Sequence, residues 1–195
     1  MNEDERVARL ERLEPFVGEW RIEAPAFPLP PELADAARAT FEWTLGGAFL
    51  LQRSSVPVPE APDGLSVIGP DTGDGYTQHY FDSRGIARLY AMTFDGRNWT
   101  LERHSPDFSP LAFHQRWLGT FSADGDTIHG RWETSPDGRD WELDFELAYR
   151  RVGTTGSRAR SRARSGAGRP PPLCGRRARP RRSRRRSTGS GPRTG

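Results

Sequence analysis

The 195-residue chain has no lysine, two methionines and a single cysteine, Cys174. One cysteine excludes an intrachain disulfide and a thiolate cluster for zinc. No apolar run approaches the roughly 18 residues of a membrane-spanning helix. The opening stretch, MNEDERVARLERLEPF, is acidic and has no apolar centre. It therefore reads as neither a secretory signal nor a transit peptide, and the cytoplasm is the expected location. The sequence shows no phosphate-cradling glycine loop, no serine elbow and no histidine pair at metal spacing. Asp71-Thr72-Gly73 spells an aspartic-protease triplet, but glycine and proline flank it instead of an apolar strand, so it reads as a turn. Nothing here argues for catalysis, and binding is the expected role.

Charge divides the chain. All 26 acidic residues precede residue 147, giving residues 1–152 a net charge of −11, while 153–195 carry fourteen arginines and no acid. All twenty Phe, Trp and Tyr residues also lie in 1–152. Only that part can bury a core, and its length suits one domain. Apart from Leu173 and Cys174, residues 153–195 are Arg, Gly, Ser, Pro, Ala or Thr, a composition expected to be disordered. It reads as an out-of-frame reading of GC-rich DNA, as a polybasic arm or as a passive solvated tail. An arm would hold nucleic acid non-specifically, because no aromatic residue is interleaved for base stacking.

Asn2 followed by Glu5 has the pattern of a capping box, and Val7, Leu10 and Leu13 recur on one helical stripe that Pro15 should end. From Gly18 the period becomes two. Ten runs alternate in this way, among them GEWRIEA, AFLLQRSSV, GYTQHYFD and DWELDFELAYRRV. Turn chemistry joins most of them, including Asp95-Gly96, Asp124-Gly125 and Asp137-Gly138. Tight turns require antiparallel neighbours, so the expected fold is all-β: an up-and-down barrel of about ten strands with a short N-terminal helix. In the last run Trp141, Leu143, Phe145, Leu147 and Tyr149 should face one side, with Glu142, Asp144 and Glu146 in solvent. Phe113, Gln115, Trp117 and Phe121 should face inward on another run. Residues Pro31–Ala37 are expected to form a short helix that acts as a lid.

Gly18-x-Trp20 on the first strand, with Arg150 and Arg151 ending the last, resembles the signature of the calycin superfamily. That group includes lipocalins, fatty-acid-binding proteins and nitrobindins. FEWTLGGAFLLQR, YTQHYFDSRG, GTFSADGDTIHGRWETSPDG and WELDFELAY further resemble a bacterial family of lipocalin-like domains that carries no established activity. The resemblance implies a calycin-like barrel over 1–152, in which a final-strand arginine packs over Trp20 and seals one end.

A barrel of this size commonly encloses one small molecule. By strand parity the expected ligand-facing residues are Trp43, Leu51, Tyr90, Met92, Gln115, Trp117, Trp132 and Phe145. The expected ligand is small and largely apolar, oriented by Gln115 and by His79. Nitrobindins hold haem through one histidine. Parity places His104, His114 and His129 outside, leaving His79 as the candidate for such an alternative role. The first-strand glycines that follow the tryptophan in nitrobindins are Ile22 and Ala24 here.

Overall fold

A computed structural model describes residues 1–153, and the expected disorder and nucleic-acid role of the arginine-rich segment lie outside the described residues. Ten antiparallel strands form: β1 Gly18–Glu23, β2 Arg38–Thr44, β3 Phe49–Ser55, β4 Gly64–Pro70, β5 Tyr76–Asp82, β6 Ala87–Phe94, β7 Asn98–Arg103, β8 His114–Phe121, β9 Thr127–Ser135 and β10 Glu142–Arg151. Each pairs with its neighbours in sequence, and β1 also pairs with β10, so the sheet closes into a barrel. The closing ladder sets Trp20 opposite Arg151 and Ile22 opposite Tyr149.

Helix α1, Glu3–Glu11, starts with the expected capping box: Asn2 accepts from the Glu5 amide, and Glu5 accepts from the Asn2 amide. Pro15 does not simply end it. A 3-10 turn over Glu14–Phe16 follows and accommodates the proline in its first turn. The buried stripe is shifted as well. Leu10, Leu13 and Phe16 are buried, whereas Val7 is exposed. Leu13 and Phe16 enter the barrel end where β1 starts, and Phe16 touches Phe41, Phe94, Trp99 and Phe121 at ring-centroid separations of 4.7–5.5 Å. This plug is anchored by buried Arg9, which donates to the carbonyls of Asp71, Gly73 and Gly75 and pairs with the Asp71 carboxylate. Asp71-Thr72-Gly73 is thus a structural turn. Its carboxylate also accepts from the Gly73 amide at 2.8 Å.

In a meander, alternate connections fall at opposite ends of the barrel. The end opposite the plug carries residues 24–37, 56–63, 83–86, 104–113 and 136–141, which include the longest connections. Helix α2 spans only Pro31–Ala34 and buries nothing, shorter than the expected 31–37. From these connections, Leu29 and Val56 pack against the core.

Strand β10 contains the main departure from simple alternation. Leu143 lies opposite Glu133 and Phe145 opposite Trp132, so Asp144 is an extra residue in a β-bulge. One inserted residue exchanges the two faces of the strand. Phe145, Leu147 and Tyr149 face inward as expected, but Leu143 points out and is 60% exposed. Trp141 also lies outside, with the Arg116 guanidinium 4.1 Å from its ring centre.

Candidate functional site

The half of the barrel next to the plug is a packed aromatic core. Trp99 meets Trp117 at 5.4 Å and Tyr149 at 6.1 Å, and Trp20 meets Phe121 at 6.1 Å. Space for Trp117 comes from two glycines opposite each other on β8 and β9, Gly119 and Gly130. A Cβ on Gly119 would stand 2.6 Å from Trp117 Nε1, and one on Gly130 would overlap the same ring. The indole therefore lies against bare backbone, and its unpartnered N–H faces the wall instead of the lumen.

Towards the opposite end the inward positions become polar. Gln52 on β3 and Tyr149 on β10 are both buried and face inward. Gln78 Nε2 donates to Ser66 Oγ at 3.1 Å. The Tyr90 hydroxyl donates to Gln115 Oε1 at 2.7 Å, and its ring lies 5.6 Å from Trp132. Tyr80 donates to Asp82 at 3.2 Å. Burial raises all three of these phenols: Tyr80 and Tyr149 to about 12, and Tyr90 in the same direction. Each is a neutral hydroxyl at physiological pH.

One polar atom of this belt has no partner. Gln78 is 4% exposed, and its Oε1 is buried without a hydrogen bond. Turning the amide over would exchange the atoms without solving the problem, because only one end of the group reaches Ser66. A buried carbonyl or NH2 left unpaired costs about 1–3 kcal/mol.

Above this belt, Arg103 and Asp107 form a buried ion pair, with bonds of 2.7 and 2.9 Å and side chains 1% and 3% exposed. Arg103 also donates to the carbonyls of Phe113 and Pro110, and Asp107 accepts from the Leu89 amide. These contacts fix the 104–113 connection over the barrel rim. The Arg103 hydrogen bond, helped by the Leu89 and Ser109 amides, holds the Asp107 carboxyl far below its ordinary range. Arg88, also facing inward, donates to Ser109 Oγ at 2.9 Å. At the same end a groove of about 520 Å³ is lined by residues including Ser54, Gly64 and Asp82 from the inner face and Arg53, Leu65 and Phe81 from the outer.

The sequence-derived residues divide accordingly. Tyr90, Met92, Gln115, Trp117, Trp132 and Phe145 face inward, and the first two and Trp117 are buried. Trp43 also faces inward, but at the plug, where its Nε1 donates to Glu14 at 2.9 Å. Leu51 does not line the lumen. It pairs with Glu42 and Val67 on the outer face, while its neighbour Leu50 points in. His79 is likewise corrected: it is exposed on the outside, near Phe108, and adjacent Gln78 takes the inward position. Phe113 sits at the rim and is exposed. At the closed end Gly18, Trp20 and Arg151 come together, whereas Arg150 points outward to Glu23 at 2.7 Å.

All four histidines are described, and none faces the lumen: His79 and His129 are exposed on the outer face, and His104 and His114 lie at the outer rim. The phenols are neutral and engaged with neighbours. The inward-facing residues do not fit an axially ligated haem. Among the described residues no group of three or more His, Cys, Asp or Glu is placed to hold a metal, and no helix is long and apolar enough to cross a membrane.

No protein-family model matches this sequence, and a search of curated proteins finds no match. Sequence reasoning missed Gln52, Ser66, Gln78, Tyr80 and Arg103. For Gln78 a signal was present, since it shares parity with Tyr76 and Tyr80, two large residues that had to be placed inside.

Proposed function

We propose that this protein is a calycin-like binding barrel that takes one small, largely apolar molecule between the aromatic core and the opposite rim. The supporting observation is the buried amide of Gln78, whose Oε1 has no partner in a belt of inward polar groups that lies next to the aromatic core. A ligand that carries one hydroxyl or N–H on an apolar frame would donate to that amide oxygen and lie beside Tyr90 and Trp132. Pairing restores the cost of the buried polar group only when the partner is bound, which favours a ligand with one correctly placed polar atom over a pure hydrocarbon.

Native mass spectrometry of the purified full chain, with an absorption spectrum of the same sample, tests this reading. The expected result is an added mass that denaturation removes. Gln78→Leu, which keeps the size and deletes the amide, should reduce its occupancy about tenfold. A bare chain that also fails to bind the fluorescent probe 1-anilinonaphthalene-8-sulfonate in competition with purified cell extracts would overturn the proposal.

A further inference from the structure

We propose that His104 and His114 form a surface site for one divalent transition-metal ion of the zinc, nickel or copper class. The pair is invisible in the sequence, where ten positions separate the two residues. The β7–β8 ladder sets Arg103 opposite Gln115, and its next step brings His104 against His114. The two Nδ1 atoms are 3.2 Å apart, with ring centroids at 5.4 Å. Two nitrogens bound at roughly 2.0–2.1 Å to one tetrahedral ion stand roughly 3.3 Å from each other. The existing gap already has nearly that width.

The surroundings orient the rings. Glu102 Oε2 lies 3.3 Å from His104 Nε2. A carboxylate there favours the tautomer with its proton on Nε2, which leaves the Nδ1 lone pair for a metal, the role a second-shell carboxylate has for a metal-bound imidazole. Trp141 meets His104 edge-on at 6.0 Å. The turn at Gly138 lies against His114, where a Cβ would stand 3.3 Å from ring atoms. Arg116, stacked on Trp141, is neutralised by Glu133 at 2.6 Å, which limits its repulsion of a cation. Neutral imidazoles suit zinc, nickel and copper and do not suit magnesium or calcium. With two protein ligands and no larger cluster among the described residues, water would complete the coordination shell.

The same distance also serves a plain N–H···N hydrogen bond, and metal titration of the full chain separates the two. Calorimetry with Ni²⁺, Zn²⁺ and Cu²⁺ in turn should give one saturable site per chain. His104→Ala and His114→Ala should each weaken it at least tenfold, and Glu102→Gln about tenfold through the second shell. His129→Ala and Cys174→Ser should leave it unchanged. Bound Cu²⁺ should show two equivalent imidazole nitrogens by electron paramagnetic resonance, reduced to one in His114→Gln. No saturable binding at millimolar metal, or binding that survives both histidine substitutions, overturns the proposal. Because the readout is the ion alone, it does not depend on whether the barrel holds a small molecule.

Discussion

The Arg151 guanidinium lies over the Trp20 indole, 4.1 Å from the ring centre, and joins the last strand to the first. The same side chain donates to the carbonyls of Val17 at 2.8 Å and Pro15 at 2.7 Å, and the indole N–H donates to Phe16 at 2.8 Å. The plug and the closing seam therefore share one pair of residues. Arg151→Ala should lose about 3 kcal/mol of stability, combining the cation–π contact with charged hydrogen bonds. Arg151→Lys should recover less than half, because an ammonium cannot reproduce the planar fork. Urea unfolding of the three proteins measures both values, and equal stabilities for the Ala and native chains would refute the latch.

Gly18 belongs to that seam. Its φ is +133°, and a Cβ there would lie 3.0 Å from an Arg151 guanidinium nitrogen. Gly18→Ala should cost about 1–2 kcal/mol from backbone strain alone. Combined with Arg151→Ala, the cost should fall short of the sum, since one variant removes the atom the other collides with.

Trp117 depends on absent side chains. Gly119→Ala and Gly130→Ala should each destabilise by about 2 kcal/mol through overpacking of a rigid, buried ring. Tryptophan emission should shift to longer wavelength as the core loosens. A methyl tolerated at Gly130 without change in stability or emission would contradict the packing described here.

The Arg103–Asp107 pair has a defined pH signature. The folded Asp107 carboxyl is held below its ordinary value, so its contribution is present above the unfolded pKa of about 3.9 and is lost as pH falls through the folded value. The 104–113 connection should stay fixed at pH 5 and be released only in strong acid. Asp107→Asn should release it at every pH and cost about 3–5 kcal/mol, because Arg103 is left buried and unpaired. Hydrogen exchange at the Leu89 amide, which Asp107 accepts from, reports the difference.

All four tyrosines, Tyr76, Tyr80, Tyr90 and Tyr149, have phenols raised chiefly by burial. At pH 10.5 the folded protein should show little tyrosinate absorbance, whereas the unfolded chain should be more than half ionised, given an ordinary pKa of about 10. The folded values lie above the unfolded one. Stability from these phenols is hence complete below pH 10 and declines as pH rises towards 12. A smooth spectrophotometric titration centred at pH 10 in the folded state would disprove it.

Ten strands and their antiparallel order were legible because alternation and turn residues repeat along 18–151, whereas an arginine over Trp20 was implied by the calycin resemblance, which did not choose between Arg150 and Arg151. What was lost is a matter of single residues. In Phe49–Ser55 both Leu50 and Leu51 are apolar, so alternation alone does not say which points in; the ladder to Trp43 and Ile68 decides for Leu50. In Tyr76–Asp82 aromatic residues stand on both faces, and histidine drew attention from the adjacent glutamine. The bulge at Asp144 is a backbone event between residues of unremarkable type, yet it moves Trp141 and Leu143 to the outer face. The histidine pair required knowing the β7–β8 register. The polar belt was missed because polar residues are ordinarily assigned to solvent, and a bond between distant strands such as Tyr90 to Gln115 leaves no local pattern.

The strand order also bears on how the protein is made. Every strand pairing but one joins neighbours in the chain; the exception is β1 with β10, whose paired residues lie more than 120 positions apart. While the polypeptide is being synthesised from its N-terminus, the growing sheet carries two raw edges, one on β1 and one on the newest strand. Such edges invite pairing with other chains. The residues that come to lie on the outer side of the final seam, Arg21 and Glu23 on β1 and Arg150 on β10, are charged. Charges on an open edge disfavour intermolecular pairing, and the arrival of the last strand adds Arg150 to the Arg21–Glu23 pair already present on β1.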